Sequence, residues 1–596
     1  MKQLFTLTLV LLATVVGYSQ IQSQPNIVRL DYDSGELDYT TYDWQTNWGN
    51  INRTIVWPDG KVSFAYTIAT ASNYSDRGTA IGTYVSHCDE WIPMGGRIES
   101  EKCGFGSIAR YKENGIVVAS HTDTQCGFYI IEDKDNMVPN SVGCALRMDP
   151  TIDPAWPVVM TSGPNRDIIH IVATGYSNNN LYYFRSRDGM TWDCENVVLP
   201  YLTSEYGSGW GSNVAYWMET TEDNCLALVV NNTWSDGMVL YSYDNGETWE
   251  RKVFYHHPGI NTAFEDPFFY PRWASCVWDN SGKLNVAYEF GAGEGQPGSN
   301  DYDSSIGGIA FWSETMPYHG ETIPPYGSDP TNPNPPMPGQ PFIMDHPYIY
   351  NDIYETSPYI STPTHDRWPE YFGYIDEVDP QGQFILEDFS LHGDYNCGPC
   401  AMPVLCKVPG IDGGLIAVWI CIDLNSMDNN GNYYYKLFVS CSDNGGRTWF
   451  PQRQLLDDFL FCYTEFVYPQ VAVIDHTLIV ACQTDGATGT SVMGGDNDDS
   501  DCLYSGFTFD LFDMYPYYGV KEVESNTHIT VYPNPASEQI KVTLNKNAEV
   551  TVRNVMGQTL MTTEGHAGVN TLDISQLSSG IYFVAAGNDT QKFIVK

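Results

Sequence analysis

Between about residues 53 and 510, the pattern of apolar and polar positions repeats one phrase. A strand is followed by a short turn, a second apolar strand, and a third strand rich in aromatic residues. We count seven copies, which begin near residues 53, 107, 157, 213, 272, 402 and 470. Helical periodicity is scarce. Strands at this spacing, separated by turn residues, predict an all-β chain built by radial repetition.

The middle strand of each copy is almost continuously apolar, as in the run from Leu415 to Ile422. Such runs indicate strands whose sheet is buried on both faces, because a half-exposed strand would alternate polar and apolar residues. A sheet packed between two neighbouring sheets meets this condition. The sequence therefore predicts a β-propeller with six or seven blades, and the count of copies favours seven.

A turn motif, Ser-x-Asp-x-Gly-x-Thr-Trp, is complete at 242–249, after the third strand of the fourth copy. Two variants follow the third strands of the third and sixth copies: the one at 186–192 is one residue shorter, and the one at 442–449 has Asn in place of Asp. The Asp or Asn side chain can bond the amides of a tight turn, Gly supplies a positive φ, and Thr and Trp return the chain to a strand. The fixed positions are Ser186, Asp188, Gly189, Thr191 and Trp192; Ser242, Asp244, Gly246, Thr248 and Trp249; and Ser442, Asn444, Gly446, Thr448 and Trp449. The motif resembles the Asp-box, or BNR repeat, of sialidase-like propellers. In that family the box is a structural hairpin at the rim, so the resemblance implies a fold and no chemistry. We expect the Trp to pack on the hairpin behind it.

A segment from about 316 to 394 interrupts the repeats between the fifth and sixth copies. Its first half is too rich in proline for sheet or helix and predicts an extended surface loop. Its second half is rich in tyrosine and could form a lid, an aromatic platform or a packed side excursion.

The composition changes again near residue 520, and alternating strands then predict a separate small β-sandwich over 520–596. This region closely resembles the type A C-terminal sorting domain of the type IX secretion system. The residues that carry the resemblance are Pro533, Asn534, Pro535, Gly557, Gly580, Tyr582 and Lys596. The resemblance implies passage through the outer-membrane secretion translocon, cleavage of the tail, and then surface anchoring or release.

The first 20 residues have Lys2, an apolar run from Leu4 to Val16, and small residues at the expected cleavage point. They predict a secretory signal peptide. The predicted organisation is thus a signal at 1–20, a propeller at 21–519 and a sorting domain at 520–596. No later segment has the roughly 18 apolar residues that a membrane span requires.

Charge and cysteine content restrict the partners. The chain has 29 Lys and Arg against 73 Asp and Glu, a formal charge of -44, which would repel nucleic acid. The 15 cysteines of an exported chain suggest disulfides, with at least one thiol left over. Cys397-Gly-Pro-Cys400 has redox-motif spacing but lacks a thioredoxin-like context, which favours a structural disulfide or buried thiols.

The resemblance to sialidases implies a specific set of catalytic residues: arginines that grip a carboxylate, a tyrosine nucleophile beside a carboxylate, and an acid. The sequence supplies Arg53, Arg110, Arg272, Glu465 and Tyr468 at the starts or within the first strands of four repeats. We expect Arg53 and Arg272 near one mouth. The Phe/Tyr-Arg-Ile-Pro motif of sialidases is absent, and structural pairing of these arginines with wall carboxylates is the alternative.

No zinc motif, phosphate loop or Gly-x-Ser-x-Gly elbow is present, and we expect no cofactor. Weak Ca²⁺ candidates are Asp496, Asp498 and Ser500, and the loop from Asp423 to Asn432, but neither completes an EF-hand. The sequence predicts an exported propeller that binds extracellular glycan or glycoprotein. An exo-sialidase and a structural surface protein are the alternatives.

Overall fold

The computed structural model describes residues 32–255, 267–316, 371–373, 393–492, 502–514 and 529–596. Short gaps within these ranges fall at 48, 123–124, 205, 207–208, 222–224, 232, 234–235, 297–298, 451, 555–557 and 587–588. The chain divides into two compact units, Met1–Met514 and Tyr515–Lys596. The signal segment, nearly all of the insertion, and Gly557 lie outside the described residues.

The first unit contains seven four-stranded antiparallel sheets, counted over its described residues. The chain starts with β1 (Tyr32–Thr40), whose sheet is completed at the end of the unit. Sheet 1 holds β2 (Thr54–Val56), β3 (Lys61–Ile68), β4 (Gly78–Val85) and β5 (Glu90–Ile92). Sheet 2 holds β6 (Gly104–Tyr111), β7 (Gly115–His121), β8 (Cys126–Ile131) and β9 (Leu146–Arg147). Sheet 3 holds β10 (Pro154–Ser162), β11 (Ile168–Gly175), β12 (Asn180–Ser186) and β13 (Cys194–Val197).

The remaining sheets follow in chain order. Sheet 4 holds β14 (Tyr216–Thr220), β15 (Leu226–Val230), β16 (Gly237–Ser242) and β17 (Glu250–Tyr255). Sheet 5 holds β18 (Pro267–Trp278), β19 (Leu284–Gln296), β20 (Ser299–Ser313) and β21 (Tyr371–Gly373). Sheet 6 holds β22 (Cys400–Lys407), β23 (Leu415–Met427), β24 (Tyr433–Ser442) and β25 (Arg453–Gln454). Sheet 7 holds β26 (Glu465–Ile474), β27 (Thr477–Asp485), β28 (Cys502–Asp510) and β1.

The seven sheets form a closed ring through their first strands. The first strand of each sheet contacts the first strand of the next, from β2 through β6, β10, β14, β18 and β22 to β26, and β26 contacts β2 again. Each middle strand is consequently covered on both faces, and every residue of β15 is buried. The apolar runs that the sequence shows in these strands have this origin.

The ring is fastened by strands from opposite ends of the unit. β1 pairs antiparallel with β28, so that Tyr32 lies opposite Phe509 and Thr40 lies opposite Cys502. The three-strand phrase did not include β1, nor the short fourth strand that ends each of the other six sheets. Those fourth strands are two to six residues long, too short to give a periodic signal.

Four short 3₁₀ helices are the helical elements of the described residues: Pro150–Ile152, Ser212–Val214, Phe459–Phe461 and Leu511–Asp513. None of the helices in the described part has the length and apolar character needed to cross a bilayer.

The three boxes join the third and fourth strands of sheets 3, 4 and 6, and they share one hydrogen-bond pattern. In the sheet 4 box, the Gly246 N–H donates to Ser242 Oγ at 2.8 Å and Thr248 Oγ1 donates to Asp244 Oδ2 at 2.6 Å. The Ser186 and Ser442 hydroxyls likewise accept from Gly189 and Gly446. The turn chemistry expected from the sequence is therefore present.

The Trp of each box packs on the third strand of the preceding sheet, and Trp192 also packs, as expected, on Phe184 of the hairpin behind it at 5.3 Å. Trp249 meets Tyr183 edge to face at 5.5 Å, and Trp192 meets Phe128 at 5.4 Å. Trp449 meets Phe311 at 5.2 Å. The boxes thus fasten one sheet to the next, because each Trp reaches across the gap between sheets.

Of the cysteines, Cys400 pairs with Cys421, its cross-strand partner on β23, and not with Cys397. Cys397 is a buried thiol whose pKa is raised by burial, so the redox-motif spacing does not correspond to a bonded pair.

The second unit contains two sheets around one hydrophobic core, which includes Ile540, Val550, Val584 and Phe593. One sheet holds β29 (Ile529–Tyr532), β30 (Gln539–Leu544) and β33 (Gly568–Asp573). The other holds β31 (Ala548–Asn554), β32 (Thr559–Gly565), β34 (Gly580–Ala586) and β35 (Asp589–Val595).

Candidate functional site

The first strands of five sheets carry the same irregularity near their N-terminal ends. The pairing register shifts between Gly104 and Ser107, Ala155 and Val158, Pro271 and Ala274, Ala401 and Val404, and Val467 and Gln470. In four of these bulges the first inserted residue has a positive φ: Phe105 (53°), Trp156 (49°), Met402 (54°) and Tyr468 (56°). Large side chains rarely adopt this backbone, and such bulges re-aim side chains beside functional sites.

Four of the five predicted catalytic residues lie at this edge of the ring, which we call the bulge edge. Arg272 and Tyr468 occupy equivalent positions in their bulges. Arg53 directly precedes β2, and Glu465 is the first residue of β26. Arg110 is the penultimate residue of β6 and therefore lies at the opposite edge.

Arg272 is held by the wall of the ring. Its Nη1 lies 2.9 Å from Glu289 Oε1, and its Nη2 donates to the Asn396 carbonyl at 2.8 Å. Glu289 is fully buried, and burial raises its pKa to about 7 against the opposing effect of Arg272. The guanidinium also stacks on the Trp273 ring at 4.2 Å. Arg272 is thus committed to contacts within the protein.

Arg53, Tyr468 and Glu465 are buried at the same edge. The Arg53 guanidinium donates to the Gln45 carbonyl, and burial lowers its pKa to about 10. Tyr468 packs edge to face on Tyr395 at 5.8 Å, and burial raises its pKa. Glu465 Oε2 accepts the Tyr435 N–H at 2.6 Å. None of the three side chains is more than 2% exposed.

The segment from 41 to 53, which we call the closing segment, explains this burial. The Asn50 side chain donates to the Pro469 carbonyl of sheet 7 at 2.9 Å and contacts the Met402 carbonyl of sheet 6. On other sides of the ring, Gly49 abuts Trp273 of sheet 5, and Ser107 of sheet 2 donates to the Asn52 carbonyl. A segment that contacts first strands all around the ring crosses its axis. The centre of the bulge edge is therefore filled.

Beside this filled centre, a chain of ring contacts runs across sheets 1, 2 and 3. Tyr74 meets Tyr42 at 5.2 Å, and Phe105 meets Tyr42, Trp44 and His121 at 6.2, 5.6 and 5.1 Å. His121 meets Trp156 at 6.2 Å, and Trp156 meets Tyr176 at 5.4 Å. We call these seven residues the aromatic ridge.

The ridge has a buried base and an accessible outer side. Phe105 and Tyr42 are buried, whereas Trp44, Tyr74, His121 and Trp156 are half-buried and Tyr176 is 61% exposed. The backbone N–H of Trp156 donates to His121 Nδ1 at 3.1 Å, which fixes the imidazole ring against the Trp156 bulge.

Arg77 holds the two buried residues of the ridge, Tyr42 and Phe105, in place. The Arg77 guanidinium lies over Tyr42 at 5.0 Å and over Phe105 at 5.6 Å, and its Nη1 donates to the Tyr42 hydroxyl at 3.0 Å. Contiguous, partly exposed aromatic surface of this kind marks binding sites in soluble proteins.

The sequence reasoning missed the ridge, although a signal was present for its Trp156 bulge and for two other bulges at the same edge. Ala155-Trp156-Pro157, Ala401-Met402-Pro403 and Val467-Tyr468-Pro469 share one pattern, a small or β-branched residue followed by a large residue and proline. A proline lacks the N–H that a regular ladder needs, so the recurrence indicates a bulge.

A buried Ser–His pair at the opposite edge has the spacing of a nucleophile and its base. Ser162 Oγ lies 2.7 Å from His170 Nε2, and His170 Nδ1 lies 2.7 Å from the Tyr183 hydroxyl. The Ser162 hydroxyl, however, donates to Asn245 Oδ1 at 2.7 Å, so His170 must donate to it. His170 therefore does not act as a base toward the Ser162 hydroxyl. The hydrogen-bonded chain Tyr183–His170–Ser162–Asn245, which we call the buried relay, links sheet 3 to the sheet 4 box.

Among the described residues, no group of three or more His, Cys, Asp or Glu side chains is placed to hold a metal ion. The predicted loop from Asp423 to Asn432 is a loop only from 428 onward, because 423–427 end β23. Asp428 accepts the amides of Asn430 and Asn432 and the Thr488 hydroxyl. These contacts match a structural turn. Asp496, Asp498 and Ser500 lie outside the described residues.

Comparison with solved structures gives distant resemblances. A fungal alcohol oxidase of the AA5 family in complex with copper is 8% identical, with 95% of this chain and 99% of that chain covered and a TM-score of 0.41. An ulvan lyase of polysaccharide lyase family PL25 is 10% identical, with 80% and 96% covered and a TM-score of 0.40. The NanB sialidase from Streptococcus pneumoniae is 10% identical, with 83% and 73% covered and a TM-score of 0.35.

No curated protein matches the chain. Residues 530–596 match the family model described as a secretion system C-terminal sorting domain. The protein therefore carries a type IX secretion sorting tail, which interacts with the secretion machinery and directs export to the outer cell surface or secretion.

Proposed function

We propose that the protein binds extracellular glycan or glycoprotein through the aromatic ridge. In this proposal the ring is a seven-bladed, sialidase-like propeller of the Asp-box type, and the tail is a β-sandwich. The observation that carries the proposal is the continuous run of ring contacts from Tyr74 to Tyr176, whose outer members reach solvent.

The chemistry of the ridge suits a sugar. A pyranose has apolar C–H faces and a polar rim, so it stacks on aromatic rings while neighbouring polar groups bond its hydroxyls. The half-buried indoles of Trp44 and Trp156 provide flat faces, and the exposed Tyr176 ring packs edge to face on Trp156 at 5.4 Å. The buried base keeps these faces fixed, which lowers the entropy lost on binding.

We prefer binding to hydrolysis because of the bulge edge. A sialidase needs guanidiniums that are free to meet a carboxylate, whereas Arg272 is paired with Glu289 and the buried Arg53 guanidinium donates to the Gln45 carbonyl. On this basis, we expect no release of product from an aryl sialoside.

Affinity electrophoresis of the exported protein in gels that contain mucin, plant, algal or bacterial polysaccharide tests the proposal. Tyr176→Ala and Trp156→Ala should each lower the affinity for the retarding polysaccharide about tenfold, or ~1.4 kcal/mol. Tyr243→Ala is the matched control, because Tyr243 is 55% exposed and lies in a box at the opposite edge.

Unchanged retardation of both ridge variants would exclude the ridge as the binding site. Failure of every polysaccharide to retard the protein would favour a structural surface protein instead. If the protein hydrolyses the aryl sialoside and Arg272→Ala abolishes this hydrolysis, the result would support the exo-sialidase alternative.

A further inference from the structure

The edge opposite the ridge contains a cavity of about 630 Å³. The tips of the β6–β7 and β10–β11 hairpins line it, with Arg110 and Lys112 on one side and Asn165 and Arg166 on the other. Thr161 is also part of its lining. A volume of this size accommodates a ligand of one or two sugar rings.

The charge of this lining differs from that of the chain. Three basic residues, Arg110, Lys112 and Arg166, face two acidic ones, Glu113 and Asp167. The whole chain has 29 basic residues against 73 acidic ones. An anion is therefore repelled less by this lining than by a surface with the average charge of the chain.

The backbone holds the cations in place. The Lys112 N–H donates to the Arg166 carbonyl at 3.1 Å, which ties the two hairpin tips together. Lys112 and Arg166 have φ values of 54° and 53°, a region that favours glycine and asparagine in turns. The Thr161 hydroxyl donates to the Arg110 carbonyl, which fixes the end of β6 against β10. Two long cationic side chains are thus kept at positions where a turn would ordinarily have a small residue.

We infer that this cavity binds an anionic saccharide that carries a carboxylate or a sulfate. Guanidinium and ammonium groups make charge-assisted hydrogen bonds to such oxyanions, and Arg offers two parallel donors to one anionic group. The Thr161 hydroxyl and the Asn165 amide supply uncharged partners for sugar hydroxyls. The site is independent of the ridge, because it lies at the other edge of the ring and selects charge.

Isothermal titration calorimetry of the full chain, purified with its C-terminal tail uncleaved, tests this inference. The probes are an unsulfated chondroitin disaccharide, which has one carboxylate, its sulfated counterpart, neutral lactose and sodium sulfate. We expect the anionic disaccharides to bind and lactose not to bind at this site. Affinity should fall as sodium chloride is raised, because salt screens the attraction.

Two variants of Arg166 distinguish the effect of losing the positive charge from the effect of disturbing the fold. Arg166→Gln should weaken binding of the anionic disaccharides at least about tenfold, and Arg166→Lys should recover most of the loss. Arg553→Gln is the control, since it removes the same charge from an exposed position in the second unit. The ridge variant Tyr176→Ala should bind these disaccharides normally, so this result is separate from the test of the ridge.

Each of four results would overturn the inference. Three of them are equal binding of lactose, an equal loss in Arg553→Gln, and binding of sodium sulfate as tight as that of the sulfated disaccharide. Absence of binding by both anionic disaccharides at millimolar concentration would do the same.

Discussion

Replacing the box tryptophans tests how the sheets are fastened together. Trp249 is 7% exposed and its ring contacts Tyr183 of the preceding sheet, whereas Trp192 is half-buried. A buried Trp removes roughly 200 Å² from water, which is worth about 5 kcal/mol at 25 cal/mol per Å². Trp249→Ala should accordingly cost about 3 to 5 kcal/mol and exceed the cost of Trp192→Ala.

Replacement by phenylalanine should cost more stability at Trp192 than at Trp249, the reverse of the order expected for alanine. Trp249 Nε1 is buried without a hydrogen-bond partner among the described residues, so Trp249→Phe removes an unpaired donor and keeps the ring contact. Trp192 Nε1 donates to the Arg147 carbonyl at 2.8 Å, and Trp192→Phe loses that bond. We expect Trp192→Phe to cost about 1 kcal/mol and Trp249→Phe to cost less.

Urea unfolding followed by far-ultraviolet circular dichroism measures all four variants without relying on tryptophan fluorescence. A cost of Trp249→Ala below about 1 kcal/mol would refute the packing argument, since a ring this buried cannot be lost so cheaply. If Trp249→Phe is as damaging as Trp249→Ala, the aromatic contact with Tyr183 is not what stabilises the ring.

Three further predictions concern the box, the buried relay and the tail. Gly246→Ala should lower the free energy of unfolding in urea far more than Gly445→Ala. Both glycines have a positive φ, but an added Cβ at Gly246 would lie 2.0 Å from the Tyr183 hydroxyl, whereas one at Gly445 would meet nothing within 4 Å. Equal costs would contradict the close approach of Gly246 to Tyr183. Burial lowers the pKa of His170 to about 3, so the unfolded chain binds a proton that the folded chain does not between that pH and about 6.5. The free energy of unfolding should therefore fall by about 1.4 kcal/mol for each pH unit below about 6.5, because the unfolded chain gains the proton. His170→Gln should make the free energy of unfolding depend less on pH in this range; an unchanged dependence would show that His170 is protonated in the folded chain. A chain that ends at Met514 should fold and remain in the periplasm, as fractionation and immunoblotting would show; its normal appearance outside the cell would contradict a sorting role for the tail.

The repeated sheets could be read from the sequence because their signals are local. The apolar run from Leu415 to Ile422 lies within β23, and the box at Ser242 forms the expected turn. The partner of β1 could not be found in this way. Its strand is acidic and polar, and its pairing with β28 joins residues more than 450 positions apart, which no local pattern reports.

The candidate site was predicted only in part, for the same reason. The position of Arg53, Arg272, Tyr468 and Glu465 at one edge follows from their places near strand starts, which the sequence shows. Their burial depends on the closing segment and on Glu289, and these contacts join residues that are distant in sequence or have no periodic pattern. The pairing of Arg272 was the alternative that we left open.

The closing segment relates the closure of the ring to the place where a ligand can bind. It connects β1, the outer strand of sheet 7, to β2, the first strand of sheet 1, so it lies where the two ends of the ring meet. Because Asn50 reaches sheets 6 and 7 across the axis, this connection fills the centre, and a ligand at this edge must bind beside it. Trp44, a member of the ridge, belongs to the same segment and contacts Phe105 of sheet 2. Opening the ring at β1 would therefore displace Trp44 from the ridge, and the proposed glycan binding should be lost together with ring closure.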